Sequence, residues 1–181
     1  MNTKKMVIAL GLGILLAGGV YSSSNPGAFL VSCTPVVTYA VEISTPAGGL
    51  EFNAVNVNTT YINSSTATIR NSGNVSADWR IRGFNLDTWT LGATPGLNTA
   101  RLLGRLNSSL ADTFNVSNDL IDTAVERNMS GTQHAGDQNG DNVPANATRL
   151  LSIRLDSPTD TTVDNTQRFR IEIRAYPAST F

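Results

Sequence analysis

Thr66–Ile81 reads TATIRNSGNVSADWRI and contains two alternating segments separated by a polar turn. In the second segment, apolar residues alternate with polar ones from Val75 to Ile81, and Trp79 is the largest of them. Asn71–Asn74, between the segments, is rich in residues that tolerate positive φ. Alternation with a period of two predicts strands that bury one face. The stretch therefore predicts a β-hairpin with Trp79 in the core.

Comparable alternating segments recur along the chain and predict an all-β domain. We expect further strands at Val37–Ile43, Leu50–Val57, Thr88–Leu91, Arg101–Leu106, Thr148–Leu155 and Arg168–Tyr176. About seven or eight short antiparallel strands in one domain are typical of a β-sandwich. Residues 107–147 are less regular, and we expect a short helical or irregular insertion there, with helical turns at Ser109–Phe114 and Asn118–Glu126.

The first residues of the chain have the plan of a secretory signal. Met1–Lys5 is a short cationic start, Met6–Val20 is an apolar run, and Tyr21–Gly27 is polar. The apolar run is shorter than the ~20 residues that a transmembrane helix needs. The pattern predicts a secretory signal and leader over residues 1–28 and a β-sandwich domain over residues 35–181. We therefore expect an exported protein, extracellular or at the cell surface, with no transmembrane span in the mature chain.

Cys33 is the single cysteine, so the chain cannot form an intramolecular disulfide. It ends the tetrapeptide Leu30–Cys33, LVSC, which matches a bacterial lipobox. Lipidation of Cys33 would give the mature protein a lipid anchor. The alternative is cleavage near Ser22 or Ala28, which leaves an unpaired thiol close to the new N-terminus.

The ionisable residues give little support to catalysis or to nucleic-acid binding. Both lysines lie in the leader, and the mature chain has eleven arginines against fourteen Asp and Glu residues. This mildly acidic balance predicts no nucleic-acid partner. His134, the only histidine, lies in a polar loop where we expect it to be solvated, and no GxSxG motif surrounds a serine. We expect no enzyme and no catalytic or cofactor-binding residues.

The loop Asp137–Asn142, DQNGDN, places oxygen side chains at alternate positions. Such spacing opens the calcium loop of EF-hands, and it makes Asp137, Asn139 and Asp141 candidate ligands for Ca²⁺. The match is partial, because Asn142 stands where that loop has glycine. The alternative is a polar turn whose side chains bond to their own backbone.

The segment Pro35–Ser44 alternates strongly and lies just after the predicted signal. Val37, Tyr39, Val41 and Ile43 would lie on one face of a strand. Such a strand either completes its own sheet or adds to the sheet edge of a neighbouring molecule. These four residues are therefore the candidate strand-exchange segment.

Gly49–Ile81, with its Phe–Val segment and Asn-x-Gly-Asn turn, resembles the opening of immunoglobulin-like β-sandwich domains in bacterial exported and cell-surface proteins. Pro144–Leu150, PANATRL, resembles the pattern before a later strand of these domains. The whole chain resembles bacterial exported proteins built from a signal peptide and one such domain. The resemblance implies a surface or matrix location and no catalytic residues.

These features favour a non-catalytic extracellular structural protein. It would be a subunit of a surface layer, matrix or filament, and it would assemble with itself or with other cell-surface components through strand-edge contacts. The alternative is a calcium-dependent glycan- or ligand-binding surface module that uses residues 107–147. Its aromatic candidates are Trp89, Tyr61 and Tyr176.

Overall fold

The computed structural model describes residues 30–178, and the predicted leader over residues 1–28 lies outside them. Residues 30–35 belong to a separate unit and are described by themselves. Residues 36–178 contain nine strands: β1 Val41–Ser44, β2 Thr60–Ile62, β3 Ala67–Asn71, β4 Ala77–Asn85, β5 Thr90–Leu91, β6 Thr99–Asn107, β7 Arg127–Asn128, β8 Thr148–Asp156 and β9 Phe169–Pro177. The described part of the chain includes no helix long and apolar enough to cross a membrane.

The strands form two sheets of unequal width. The wider sheet has the order β1-β3-β8-β6-β5, with β2 also paired to β8, and the narrower sheet has the order β7-β4-β9. All pairs are antiparallel except β5 with β6. Trp79 and Ile81 of the narrower sheet share one apolar core with Ile69, Leu102 and Ile153 of the wider sheet. The predicted all-β, two-sheet architecture is confirmed.

The predicted hairpin over Thr66–Ile81 is wrong, because β3 and β4 lie in different sheets. Both edges of β3 are already occupied: Ile69 pairs with Ile43 of β1, and Ala67 pairs with Leu151 of β8. The chain therefore crosses from one sheet to the other between the two strands. The prediction of Trp79 as a core residue is confirmed, since its side chain is fully buried.

The crossing depends on the buried amide of Asn71. Its Nδ2 donates to the carbonyls of Val75 at 2.9 Å and Val143 at 2.8 Å, and its Oδ1 accepts the N–H of Gly73 at 3.0 Å. Gly73 also lies against the segment that leads into β1, where an added Cβ would lie 2.3 Å from the carbonyl oxygen of Thr38. The turn and the start of the domain are thus packed together without room for a side chain.

The insertion between β6 and β8 is irregular, and the predicted helical turns are wrong. Many of its backbone groups bond to strands: Gly104 N–H donates to the carbonyl of Asp119, and Ile121 N–H donates to the carbonyl of Leu102. One i to i−4 bond, from Asp119 N–H to the carbonyl of Asn115, is not continued into a helix. Hydrogen-bonding groups used in this way are not available for the i to i−4 bonds of a helix.

The predicted strand over Leu50–Val57 is also wrong. Leu50, Phe52 and Val55 pack against the core from a loop, and Ala54 has a φ of 35°, which interrupts an extended backbone. The apolar pattern therefore identified core residues correctly, but it did not identify a sheet partner for them.

Gly140 provides a test of this packing. An added Cβ would lie 2.7 Å from Met129 Cβ and 3.1 Å from Trp79 Cβ. We expect Gly140→Ala to lower the free energy of unfolding by about 1–3 kcal/mol through overpacking. Gly131→Ala is the matched control, because its nearest neighbour would be 3.9 Å away, and it should change stability by less than about 0.5 kcal/mol. Urea denaturation measures the free energy of unfolding of both variants. Equal losses of stability in the two variants would contradict the close packing at Gly140.

Candidate functional site

The outer edge of β9 is the most distinctive surface of the domain. Trp79 of β4 donates its N–H to Gly140 at 2.7 Å and accepts the N–H of Met129 at 2.9 Å, so its backbone faces away from β9. Trp79 is paired with Ala175, which is therefore a non-hydrogen-bonded pair of the antiparallel ladder. By the same alternation, the N–H and C=O groups of Ile171, Ile173 and Ala175 face outward. No strand among residues 30–178 pairs with this edge.

The side chains at the same positions are apolar and incompletely covered. Ile173 lies opposite Ile81 and Ala175 opposite Trp79, so both point into the space between the sheets. Ile81 and Trp79 are fully buried, whereas Ile171, Ile173 and Ala175 are only half-buried. Edge strands are commonly protected by an inward charge, a proline or a bulge. Ile171, Ile173 and Ala175 are none of the three, and Pro177, the next position on this face, ends the strand. The edge is therefore open to strand addition over residues 171–175.

β1 forms the neighbouring edge of the wider sheet. Of the predicted strand-exchange segment, Val41 and Ile43 lie in β1, which pairs with β3 of its own chain. Val37 and Tyr39 precede the strand. Val41 packs against the core, whereas Val37, Tyr39 and Ile43 are exposed. β1 approaches β9, with Cα atoms of the two strands within 8 Å of each other.

The chain before β1 is held to the turn after β3, and Asn74 makes most of these bonds. The Asn74 side chain accepts the N–H of Thr38 at 2.8 Å through Oδ1 and donates to the carbonyl of Val36 at 2.8 Å through Nδ2. Upstream of this clamp, Leu30 is 93% exposed and Val31 is 76% exposed. Cys33, the candidate lipidation site, is an exposed free thiol. The Asn74 clamp therefore lies at the start of the folded domain, and an apolar segment precedes it in the chain.

The candidate calcium ligands make separate hydrogen bonds. Asp137 accepts hydrogen bonds from the backbone and the hydroxyl of Ser108, and these bonds lower the pKa of its carboxyl group. Asn139 Oδ1 accepts the N–H of Asp141 at 3.1 Å. In the described part of the chain, no three His, Cys, Asp or Glu side chains are grouped to hold a metal ion. The loop thus has the hydrogen bonds of a polar turn, and calcium binding stays a prediction.

Asp141 lies beside a second carboxyl group that the sequence did not indicate. Asp78 of β4 is fully buried and accepts the N–H of Asn142 at 2.8 Å. Burial raises the pKa of Asp141, and the hydrogen bond and negative charge of Asp78 raise it further. Asp78 and Asp141 are far apart in the chain, so no motif spacing in the sequence could have indicated that they are neighbours.

The prediction that His134 is solvated is wrong, because its side chain is fully buried. Its Nδ1 lies 2.8 Å from the carbonyl oxygen of Gly104 in β6, and its backbone has a φ of 57°. Burial lowers the pKa of His134 to about 4, although the bond to Gly104 opposes the shift. A neutral imidazole that donates Nδ1–H to Gly104 fits this position, and it ties the insertion to β6.

The aromatic candidates for glycan binding are already engaged. Trp89 is buried and donates Nε1–H to the hydroxyl of Thr161 at 2.9 Å. The Tyr176 hydroxyl donates to Glu126 at 2.7 Å, and the guanidinium of Arg80 lies 4.3 Å from its ring centroid. Arg80 therefore covers one face of the ring on which a sugar would stack.

Acid should weaken the domain through His134. Its folded-state pKa is about 4 against an ordinary value of 6.5, so this contribution to stability is present above pH 6.5 and is lost as pH falls toward 4. We expect a loss of roughly 2 kcal/mol between pH 7 and pH 4.5. His134→Asn, which tolerates positive φ, should remove this pH dependence even if it is less stable at every pH. Chemical denaturation at pH 7 and pH 4.5 measures the free energy of unfolding of both proteins. A variant that loses as much stability as the wild type between these two pH values would contradict the assignment of the pH dependence to His134.

Replacement of Asp141 and of Asp137 by asparagine should shift the melting temperature in opposite directions. Asp141→Asn should raise the melting temperature at pH 7, because it removes a carboxylate whose raised pKa makes its ionised form unfavourable. Asp137→Asn should lower it, because the ionised form accepts both bonds from Ser108. Both effects should shrink as pH falls to the range where the wild-type carboxyls are protonated. Shifts of the same sign in calorimetry would contradict this picture.

Comparison of the chain with protein-family models, with curated proteins and with solved structures finds no match. A function for this protein is therefore inferred from its own residues: the open edge of β9, the clamp at Asn74 and the apolar segment that precedes it.

Proposed function

We propose that the mature protein is a non-catalytic structural subunit outside the cell. It assembles with copies of itself, or with other cell-surface components, into a surface layer, matrix or filament. The secretory pattern of the leader supports export to the extracellular space or the cell surface. As part of the proposal, its two-sheet sandwich is of the immunoglobulin-like type. A lipid on Cys33 is the alternative means of attachment, because cleavage before Cys33 would remove residues 30–32.

The single observation that carries this proposal is the outer edge of β9. It combines outward backbone hydrogen-bonding groups with the half-buried Ile171, Ile173 and Ala175. A strand added at this edge would satisfy the backbone groups and cover the apolar side chains together. A structural subunit needs such a contact on every copy, because each molecule must bind the next.

The hydrogen bonds and ion pairs of Asp156 support a structural role for the protein over a catalytic one. Asp156 lies in a cleft of about 300 Å³. It is held by Arg101 at 2.6 Å, by Arg154 at 2.8 Å and by the hydroxyl of Thr60 at 2.8 Å. Burial alone would raise its pKa, but these hydrogen bonds outweigh burial and lower it. A carboxylate kept ionised in this way is a poor proton donor, and it joins β2, β6 and β8.

Electron microscopy and sedimentation of the purified mature protein test the proposed function. We expect ordered assemblies whose amount grows with protein concentration. Monodisperse monomers at every concentration, salt level and calcium level would overturn the proposal. Assembly that requires calcium and is lost in Asp141→Asn would instead favour the calcium-dependent surface module.

A further inference from the structure

We infer that the outer edge of β9 binds residues 30–35 of a second copy of this chain. This inference rests on the proposed function, and it names the two surfaces that meet. The acceptor is the edge formed by Ile171, Ile173 and Ala175, and the donor is the segment LVSCTP upstream of the Asn74 clamp.

The acceptor has the dimensions and chemistry of a strand site. Residues 171–175 span about 17 Å at ~3.4 Å per residue, and they offer N–H and C=O groups at every second position. The half-buried side chains of these positions point into the space between the sheets, and β1 approaches β9 with Cα atoms of the two strands within 8 Å of each other. An added strand would therefore gain main-chain hydrogen bonds from β9 and apolar contacts from both sheet edges.

The donor has the matching pattern. In residues 30–35, Val31, Cys33 and Pro35 alternate with Leu30, Ser32 and Thr34. The first set is apolar throughout, so it suits the face that enters the space between the sheets. Pro35 lacks an N–H group and lies at the end of the segment, so an antiparallel added strand would lose one ladder bond there and keep the others. The six residues span about 20 Å when extended, which is enough to cover the acceptor.

A second copy is the occupant because each molecule presents both parts of the contact. Leu30 and Val31 are 93% and 76% exposed, and the β9 edge has no strand partner among the described residues. Asn74 holds Val36 and Thr38, so the donor leaves the domain at a fixed point. A contact between two different surfaces of identical subunits is head-to-tail, and it propagates into a filament unless rotation closes a ring.

Cysteine crosslinking tests the pairing directly, because Cys33 is the only cysteine in the chain. Ile173→Cys and Ala175→Cys place a second thiol on the inward face of the acceptor. Thr90→Cys is the control, since Thr90 is exposed on β5 at the opposite edge of the wider sheet. After mild oxidation of assembled mature protein, we expect disulfide-linked multimers with Ile173→Cys or Ala175→Cys, and no such multimers with Thr90→Cys or after Cys33→Ser.

Mixing isotopically light and heavy protein shows whether each disulfide joins two molecules. Crosslinks only within one molecule, or crosslinks favouring position 90, would overturn the inference. Microscopy of the same samples separates the two proposals. Assemblies without a 33–173 or 33–175 crosslink would overturn the donor assignment and leave the proposed function standing, whereas no assemblies under any condition would overturn the proposed function.

A second pair of variants tests the donor without altering the domain. Val31→Asp places a charge on the face expected to enter the acceptor, and Ser32→Asp places it on the opposite face. Both positions are exposed, so both variants should melt like wild type. We expect at least a tenfold loss of assembly with Val31→Asp and little change with Ser32→Asp. Equal assembly by both variants, or a mature chain that begins at Cys33 in its native host, would overturn the inference.

Discussion

The buried side chain of Asn71 is the constraint on which the rest of the domain depends. An amide removed from water must have its donors and acceptor satisfied, and Asn71 achieves this with Gly73, Val75 and Val143. Its backbone meanwhile bonds to Asn146 and Ala147, next to the start of β8. One residue therefore fixes the end of β3, the turn and a distant loop together, and the chain must leave the wider sheet at this point.

The crossing places β4 in the narrower sheet, and the strands beside β4 shape the surface. β4 receives β9 on one side and β7 with parts of the insertion on the other, which leaves β9 as an uncovered edge. The insertion closes the β7 side of β4, where Trp79 and Ile81 are fully buried. Nothing among residues 30–178 closes the β9 side in the same way. The domain thus has one protected flank and one open flank among the described residues.

The ionisable groups show how the irregular insertion is held in place. His134 is kept neutral by burial against β6, and Asp137 is kept ionised by Ser108 at the end of β6. Asp141 lies beside the buried Asp78 of β4. The first two contacts join the insertion to β6 of the wider sheet, and the Asn142 N–H that donates to Asp78 joins it to β4 of the narrower sheet. The polar loop that suggested a metal site by its spacing therefore also serves as a link between the sheets.

The sequence by itself determined several of the strands and which face of each is apolar, but it also predicted a strand over Leu50–Val57 that does not form and did not indicate β2 or β7. β3, β4, β8 and β9 follow from alternation alone, because successive side chains of a strand point to opposite faces. Only the tertiary structure decided which strands pair, that β3 and β4 separate, that His134 is buried and that β9 is an edge. The physical reason is that pairing is made by backbone groups common to all residues except proline. Alternation fixes where a side chain points, but it carries no information about which strand lies alongside.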